Sequence, residues 1–307
     1  MLELKNVSVE FISASSVRAV DGVSMVLRDG SRTAIVGETG SGKSILMLSI
    51  MRLLASNAAV SGEILLDGED ILKADRKRLQ QIRGGIISYV PQGGGASMNP
   101  LLKVGFQVGE PLMEHRGVSR REAEKKSIGL LKFFNLGDEE RLAKSYPHTF
   151  SGGMRQRAMV AMGISAGARI ILADEPTKGL DEKRVALVTD TFNRLKDETL
   201  LVVTHDMTFA QKVAQDICVM YASQQVEYGT ASQIIGDPLH PYTRDMISAM
   251  PENGMKYDDR GFAPSHEEDV KGCRYSQRCH ECMEKCSEMP PVADVNGHKV
   301  RCWKYAV

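Results

Sequence analysis

The chain lacks an apolar run of the roughly 20 residues that a membrane-spanning helix needs. It also lacks an excess of charge of either sign, because 39 Lys and Arg residues balance 39 Asp and Glu residues. A nucleic-acid-binding protein usually has a basic excess that releases phosphate counterions, so no nucleic-acid partner is expected. The N-terminal MLELKNVSVEF carries Glu3 and Lys5 and does not resemble a secretory signal, which predicts a cytosolic location.

Cysteine is nearly absent outside one short stretch. Cys218 lies in the apolar run ICVMY, typical of a core residue, and the other five cysteines lie between residues 273 and 302. In a reducing cytosol, clustered cysteines are more typical of metal or cluster ligands than of disulfides. From residue 236 the sequence is rich in Pro, Gly and charge, which predicts a linker at DPLHPYT and a loop-rich extension with little core.

Strands and helices alternate in the first 235 residues. Short buried strands are predicted at TAIV, RIILAD and TLLVV, and helices at SILMLSIMRLL and KRVALVTDTFNRLKDE. LELKNVSVEF alternates apolar and polar residues, as a half-buried strand does, and residues 105–161 are mostly helical in pattern. This alternation predicts an α/β fold with a parallel sheet.

A phosphate-binding loop is predicted at GETGSGKS, which fits G-x-x-x-x-G-K-[ST] between a predicted strand and a predicted helix. Glycines let the backbone curl so that N–H groups face phosphate oxygens, and the helix N-terminus favours an anion. Lys43 is expected to reach the β and γ phosphates, and Ser44 to bind Mg²⁺. The alternative is a glycine-rich turn with a chance lysine. The predicted phosphate ligands are Gly37, Glu38, Thr39, Gly40, Ser41, Gly42, Lys43 and Ser44.

Two carboxylates follow the apolar strand RIILADEP. Asp174 is expected to hold Mg²⁺ through water, and Glu175 is the candidate general base for an attacking water. Alone, two carboxylates after a strand are more typical of a solvated helix start. The phosphate loop and the spacing favour the catalytic interpretation.

FSGGMRQR at residues 150–157 resembles the signature of ATP-binding cassette (ABC) ATPases, the motor subunits of ABC transporters. Five other family elements are matched in order, and together they cover residues 1–235. These elements are GETGSGKS (Walker A), Gln92 in SYVPQ (Q-loop), ILADEP (Walker B), GLD at Gly179 to Asp181 (D-loop) and His205 in VVTHD (switch histidine).

The resemblance implies that two ATPases face each other head to tail and bind ATP between them. The signature would then act on the partner's ATP, with its N–H groups and Ser151 aimed at the γ phosphate. Its residues here are Ser151, Gly152, Gly153 and Met154.

The resemblance also assigns roles to single residues. Gln92 would contribute to the Mg²⁺ site, sense the γ phosphate and relay to membrane subunits. His205 would orient water beside Glu175, and Asp181 is the D-loop acid. Phe11 would stack on adenine. Alternatively, His205 could be a buried structural histidine. Phe11 could simply be an edge-strand or core phenylalanine.

The fold implied is a P-loop NTPase core with a parallel-rich sheet, a β subdomain and an inserted helical subdomain at about 93–161. Residues 1–235 would form the nucleotide-binding domain. Residues 236–307 would form a small, loop-rich C-terminal extension that carries the cysteines.

DPLHPYTRDMISAMP resembles a segment of the oligopeptide, dipeptide and nickel importer subfamily, which then carries a cysteine tail. The matching cysteines are Cys273, Cys279, Cys286 and Cys302, spaced C-x5-C-x6-C-x15-C, and the resemblance implies that they bind a [4Fe–4S] cluster. Structural zinc and free thiols are alternatives, and Cys282 is an additional cysteine. A structural staple would suffice for a tail with little core.

The function implied is that of an ATP-hydrolysing motor for uptake of peptides or nickel. The expected partners are a second, related ATPase in a heterodimer or homodimer, two permease subunits and, indirectly, a substrate-binding protein. The chain would lie peripherally on the cytoplasmic face of the membrane. GGGASMNP at residues 93–100 and TKGLD at the D-loop depart from the subfamily pattern, which suggests a divergent branch importing nickel or a metal chelate.

Two other functions remain open at this stage. One is a non-transport cassette ATPase in DNA repair or translation. Repair types insert long coiled coils or zinc modules between Walker A and the signature, translation types carry two cassettes, and neither feature occurs here. The other is a regulatory extension that controls hydrolysis.

Overall fold

The structure is a computed structural model that describes residues 1–13, 16–92, 97–254, 260–265, 268 and 270–306. In these residues the strands are β1 (Leu2–Phe11), β2 (Val17–Leu27), β3 (Arg32–Val36), β4 (Ala58–Leu66), β5 (Glu69–Asp70), β6 (Ile87–Val90), β7 (Ile170–Asp174), β8 (Thr199–Thr204), β9 (Asp216–Tyr221), β10 (Gln224–Thr230), β11 (Val292–Val295) and β12 (His298–Arg301). The helices are α1 (Lys43–Ile50), α2 (Arg76–Ile82), α3 (Val104–Arg116), α4 (Arg120–Phe133), α5 (Glu139–Ala143), α6 (Gly152–Ser165), α7 (Glu182–Asn193), α8 (Met207–Val213), α9 (Ala231–Gly236) and α10 (Pro241–Ser248).

The strands and helices confirm the α/β class. The chain divides into two compact units. The first comprises Met1–Leu27, Thr33–Leu72 and His205–Val307, and the second comprises Arg28–Arg32 and Lys73–Thr204. The first unit therefore contains both the phosphate loop and the cysteine-bearing extension. The domain boundary at 235/236 and the helical-subdomain limits at 93–161 stay predictions, and residues 93–96 lie outside the described residues.

The first unit is built on a mixed sheet in the order β5-β4-β1-β2-β10-β9-β3. β1 pairs antiparallel with β2 and β4, whereas β3 runs parallel to β9. The alternation in β1 buries Leu2 and Leu4 and then, beyond an irregularity in the pairing, Val7 and Val9. The sheet thus presents one apolar face to the core, as the sequence pattern predicts.

The second unit contains the parallel strands β6, β7 and β8, with β7 in the middle. Every residue of β7 and β8 is buried, which explains why both read as continuous apolar runs. Helices α3, α4 and α6 pack together, so the predicted helical region is present. These parallel strands end at the residues predicted to act on phosphate.

The extension contains more regular structure than its sequence suggests. DPLHPYT, interpreted as a linker, includes the start of α10, where Pro241 occupies the first turn and His240 Nδ1 accepts the Tyr242 N–H at 3.1 Å. β11 and β12 form an antiparallel hairpin, and β12 also pairs antiparallel with β10. Such short elements give no long periodicity, so the pattern analysis could not find them.

A buried carboxylate fastens this hairpin to the start of α10. Glu227 of β10 is 1% exposed, and it accepts the backbone N–H groups of Leu239 at 2.7 Å and His240 at 2.9 Å. His298 Nε2 of β12 lies 2.7 Å from Glu227 Oε1. A buried polar group needs such hydrogen-bond partners, so Glu227 ties three segments of the first unit together.

Gly272 offers a test of how tightly the extension is packed. A Cβ there would lie 2.3 Å from the Cys286 carbonyl oxygen and 2.7 Å from that of Ser287, and neither backbone atom can move away cheaply. We expect Gly272→Ala to reduce the free energy of unfolding by about 1–3 kcal/mol, a typical cost of overpacking. Thermal unfolding followed by circular dichroism measures it.

Gly236→Ala is the matched control, because a Cβ at Gly236 would meet no atom within 4 Å. Its melting temperature should equal or exceed that of the wild type. Equal melting temperatures for both variants would contradict the packing of the Gly272 segment against residues 286 and 287.

Candidate ATP site and cysteine pocket

The predicted phosphate loop lies between β3 and α1, as its motif requires. Gly42 immediately precedes α1 with φ 94°, and a Cβ there would lie 2.1 Å from the Ala19 carbonyl oxygen of β2. Only glycine combines this left-handed backbone with so close an approach. The loop is thereby held against β2 with the N-terminus of α1 facing the loop, the arrangement that binds phosphate.

Lys43 is folded over this loop and is 6% exposed. Its Nζ donates to the carbonyl oxygens of Gly37 and Glu38, each at 2.8 Å, and lies 3.4 Å from Ser41 Oγ. The ammonium group is therefore already held at the loop. An anion in the loop would meet a fixed positive charge as well as backbone N–H groups.

Two residues outside the motif also bind the loop, and the sequence analysis missed both. The Glu38 backbone N–H donates to Tyr242 Oη of α10 at 3.0 Å. The Glu38 carboxylate accepts from Arg278 Nη1 at 2.9 and 3.2 Å. The only sequence signals are a tyrosine after DPLHP and an arginine directly before Cys279, and neither signal indicates a partner.

The acidic pair lies at the end of β7 in the second unit. Tyr89 of β6 donates to Asp174 Oδ2 at 3.1 Å, and burial, together with the Asp174 charge, raises the pKa of Tyr89. The phenol therefore stays protonated and orients the carboxylate. Tyr89 was not singled out from sequence, although it lies three residues before Gln92.

Glu175 has an unusual backbone conformation. Its φ is +46°, a left-handed value uncommon outside glycine, and its N–H donates to the Val203 carbonyl oxygen of β8 at 2.9 Å. Such strain is held in place by the surrounding structure and is concentrated at functional sites. It directs the chain sharply out of β7 at the residue proposed as general base.

The signature and D-loop residues sit at helix starts in the same unit. Ser151 caps α6 by accepting the Met154 N–H at 3.3 Å, and Asp181 caps α7 by accepting the Arg184 N–H at 3.0 Å. The buried Arg157 donates to the carbonyl oxygen of Gly153 in α6 and to those of Phe134 and Asn135 just after α4. These bonds fix α6 against the end of α4. Gly152 and Gly153 are the first two residues of α6.

The remaining predicted residues occupy the ends of strands. Phe11 ends β1 and is half-buried, Gln92 is exposed shortly after β6, and His205 is exposed directly after β8. The first unit thus holds Phe11, the phosphate loop and His205. The second holds Gln92, Asp174, Glu175, Asp181 and the signature residues, and the roles of all these residues stay predictions.

Four thiols line one pocket in the extension, together with His240 and Tyr275 among others. They are the cysteines assigned by the resemblance, Cys273, Cys279, Cys286 and Cys302. Burial raises the pKa of Cys273 to about 11 and also raises the pKa of Cys279 and of Cys302, with the neighbouring thiols adding to each shift. Without a cation the three would therefore be thiols at neutral pH.

The other two cysteines do not line this pocket, although Cys282 contacts the pocket thiol of Cys286. Cys282 is exposed and does not line it, whereas Cys218 is fully buried in β9, which confirms its prediction as a core residue. Within the described ranges, no group of three or more His, Cys, Asp or Glu side chains is placed so as to hold a metal ion.

Comparison with known proteins identifies the class. Residues 20–178 match the ABC transporter family, and residues 226–286 match the family described as oligopeptide/dipeptide transporter, C-terminal region. The oligopeptide transport ATP-binding protein AppD of Bacillus subtilis is 34% identical, covering 99% of this chain and 97% of that protein. An ATP-binding protein assigned to peptide import in Brucella melitensis is 37% identical, covering 97% and 95%.

Solved structures agree with this class. A dimeric bacterial ABC transporter cassette superposes with a TM-score of 0.68 at 29% identity, covering 75% of this chain and 99% of that one. A dimeric post-hydrolysis cassette bound to ADP and Pi gives a TM-score of 0.67, also at 29% identity, with the same coverage. The chain belongs to the ABC transporter family and is one of its ATPases. In the described part of the chain, no helix is long and apolar enough to cross a membrane.

The predicted import of nickel or a metal chelate was based on GGGASMNP at residues 93–100 and on TKGLD, and it stays a prediction. Residues 93–96 lie outside the described part of the chain. The relatives above are named for peptides. TKGLD contains Gly179 at φ 73°, a turn conformation that favours glycine, so this departure has a local structural reason.

Lys43→Ala tests the phosphate loop. The alanine variant cannot form the charge-assisted hydrogen bond between the Lys43 ammonium group and the phosphates. We therefore expect the Kd for Mg-ATP to rise by at least about tenfold. Isothermal titration calorimetry measures it. Lys125→Ala, at an exposed position of α4, is the control and should bind as the wild type does. Unchanged micromolar affinity in Lys43→Ala would count against the loop as the phosphate site.

Proposed function

We propose that this ATPase is the motor subunit of an ABC importer for oligopeptides or dipeptides. The observation that carries the proposal is the match of residues 226–286 to the oligopeptide/dipeptide transporter C-terminal region directly after a cassette. The names of the relatives describe oligopeptide transport and peptide import. A DNA-repair or translation role has no such support.

The phosphate loop and Lys43 bind the β and γ phosphates of one ATP. Ser44, Gln92 and Asp174 would hold Mg²⁺, which neutralises phosphate charge when bound. Glu175 takes a proton from the attacking water, and His205 orients that water and the γ phosphate. Tyr89 holds the Asp174 carboxylate in place.

The second half of each ATP site comes from a partner ATPase. Ser151 to Met154 at the start of α6 present N–H groups to the ATP of that partner, so hydrolysis needs two cassettes. The partner is a related ATPase in a heterodimer. Two permease subunits receive the motion through the region of Gln92, and a substrate-binding protein delivers the peptide. The chain then lies peripherally on the cytoplasmic face of the membrane.

The cysteine pocket is proposed to hold a [4Fe–4S] cluster that staples the extension. Four thiols line one pocket, and four thiolates are the ligand set of such a cluster. Burial favours the neutral thiols, so a bound cluster would have to stabilise the thiolates, and the bonds formed would then hold the extension folded. When bound, such a cluster would cross-link the four cysteine-bearing segments, and no redox step is assigned to it.

Glu175→Gln tests the catalytic assignment. The amide cannot accept the proton, so we expect turnover to fall at least about 100-fold while ATP binding is retained. ATP should then trap a dimer of cassettes, seen by size-exclusion chromatography of the chain with its partner. Glu140→Gln, at an exposed position of α5, should hydrolyse ATP normally. Undiminished hydrolysis in Glu175→Gln would refute the general-base role.

Metal analysis of the anaerobically purified chain tests the pocket. We expect about four irons and four acid-labile sulfides per chain. Cys286→Ser should lose most of the iron, because Cys286 lines the pocket, whereas Cys282→Ser should retain it. Zinc without sulfide would replace the cluster with a structural zinc site, and no metal at all would leave free thiols.

A further inference from the structure

Glu38, the second residue of GETGSGKS, is held from outside the motif at two points. Tyr242 of α10 accepts its backbone N–H, and Arg278 of the extension binds its carboxylate. Its carbonyl oxygen accepts Lys43 Nζ at 2.8 Å. All of these residues belong to the first compact unit. A displacement of Glu38 would therefore also move an acceptor of the phosphate-binding lysine.

Arg278 is rigidly placed for this contact. Its guanidinium lies over the rings of Tyr221 and Tyr275, 5.7 and 5.6 Å from their centroids, and Nη1 is 3.4 Å from Tyr221 Oη. The side chain is only 16% exposed. Burial disfavours its charge, but the hydrogen bonds to Tyr221 and Glu38 and the Glu38 charge raise the pKa of Arg278 above its ordinary value. The arginine thus stays positive beside the loop.

An aromatic layer connects this arginine to α10. The rings of Tyr221, Tyr242 and Tyr275 pack against one another with centroids 4.6 to 5.5 Å apart. Tyr275 also donates to Asp245 of α10. Tyr242 and Arg278 therefore share one packed support, and they reach the same loop residue from two segments of the extension.

The negative charge of Glu38 is the reason that its contacts with Arg278 and Tyr242 affect nucleotide binding. A carboxylate in a loop that receives a triphosphate repels it, because like charges at close range in a partly buried site interact strongly. Arg278 pairs with that carboxylate at 2.9 Å and neutralises its charge. Without Arg278, the loop would present a negative charge near its anionic ligand.

We propose that Arg278 and Tyr242 are positioning residues of the phosphate loop, so that the affinity for ATP depends on the C-terminal extension. They touch Glu38 and act on the phosphates through it. The inference rests on ATP hydrolysis alone and holds whichever substrate is transported and whatever the cysteine pocket contains.

A double-mutant cycle tests the proposal in the full-length chain assembled with its partner ATPase, by the KM for ATP and kcat of that complex. Arg278→Gln should raise the KM for ATP about three- to tenfold with little change in kcat. In a Glu38→Gln background, the same change should raise KM less than about twofold, because no carboxylate remains to be neutralised. The difference should shrink at about 1 M salt, where exposed charges are screened.

Conservative and control variants separate positioning from folding. Arg278→Lys keeps the charge and should restore most of the affinity. Lys299→Gln removes a positive charge from an exposed position of β12 and should leave KM unchanged. An equal rise of KM in both Glu38 backgrounds, or an unchanged KM in Arg278→Gln, would overturn the proposal.

Tyr242→Phe decides the matter if Arg278→Gln fails to fold. The phenyl ring keeps the aromatic layer but removes the acceptor of the Glu38 N–H, so KM should rise at least about threefold at unchanged kcat. An unchanged KM in folded Tyr242→Phe would then refute the positioning role. These outcomes differ from a failure of the ATPase assignment, in which the wild-type chain with its partner would not hydrolyse ATP.

Discussion

A multiply charged phosphate can be held by a neutral backbone only where many N–H groups converge, and this requirement shapes the loop between β3 and α1. The loop must curl tightly, so glycine precedes α1 where a Cβ would strike β2. It must also present positive charge, which Lys43 supplies from a position fixed by two loop carbonyls. The negative carboxylate of Glu38 repels a phosphate in this loop. Its partner Arg278 comes from a distant part of the chain.

Polar and charged side chains of the extension have their partners on the strands of the first unit. Glu227 is the clearest case, because its carboxylate is buried and accepts from two backbone N–H groups and faces His298. Arg274 in turn pairs with Asp21 of β2 at 2.9 Å and donates to the Ala222 carbonyl. Partly buried charges with fixed partners are costly to separate, so the extension is fastened to the strands of the first unit rather than tethered to them.

The sequence predicts the local elements of the ATP site well, and the reason is physical. A phosphate loop, an acid after a buried strand and a capped helix start are each encoded within about ten residues, so their spacing is visible in one dimension. The continuous apolar runs of β7 and β8 reveal parallel buried strands for the same reason. The α/β class and the ABC family could therefore both be inferred before the structure was known.

Contacts between distant segments could not be predicted in this way. Glu38 and Arg278 are 240 residues apart, and no periodicity links an acid in a glycine-rich loop to an arginine beside a cysteine. The short helix α10 and the hairpin of β11 and β12 were hidden as well, since Pro, Gly and charge dominate the surrounding composition. Tyr89 shows the same limit, because its bond to Asp174 depends on β6 and β7 being neighbours.

Tyr275 connects the cysteine pocket with the residues that contact Glu38 of the phosphate loop. Tyr275 lines the pocket that contains the four thiols, and its ring also packs against Tyr242 and supports Arg278. Cys279 directly follows Arg278 in the chain, so the backbone that places a thiol in the pocket also places the guanidinium beside Glu38. Arg278 and Cys279 are therefore placed by the same short stretch of backbone. The extension therefore contributes directly to the cassette, because Arg278, which neutralises the Glu38 carboxylate, lies in the same turn as Cys279.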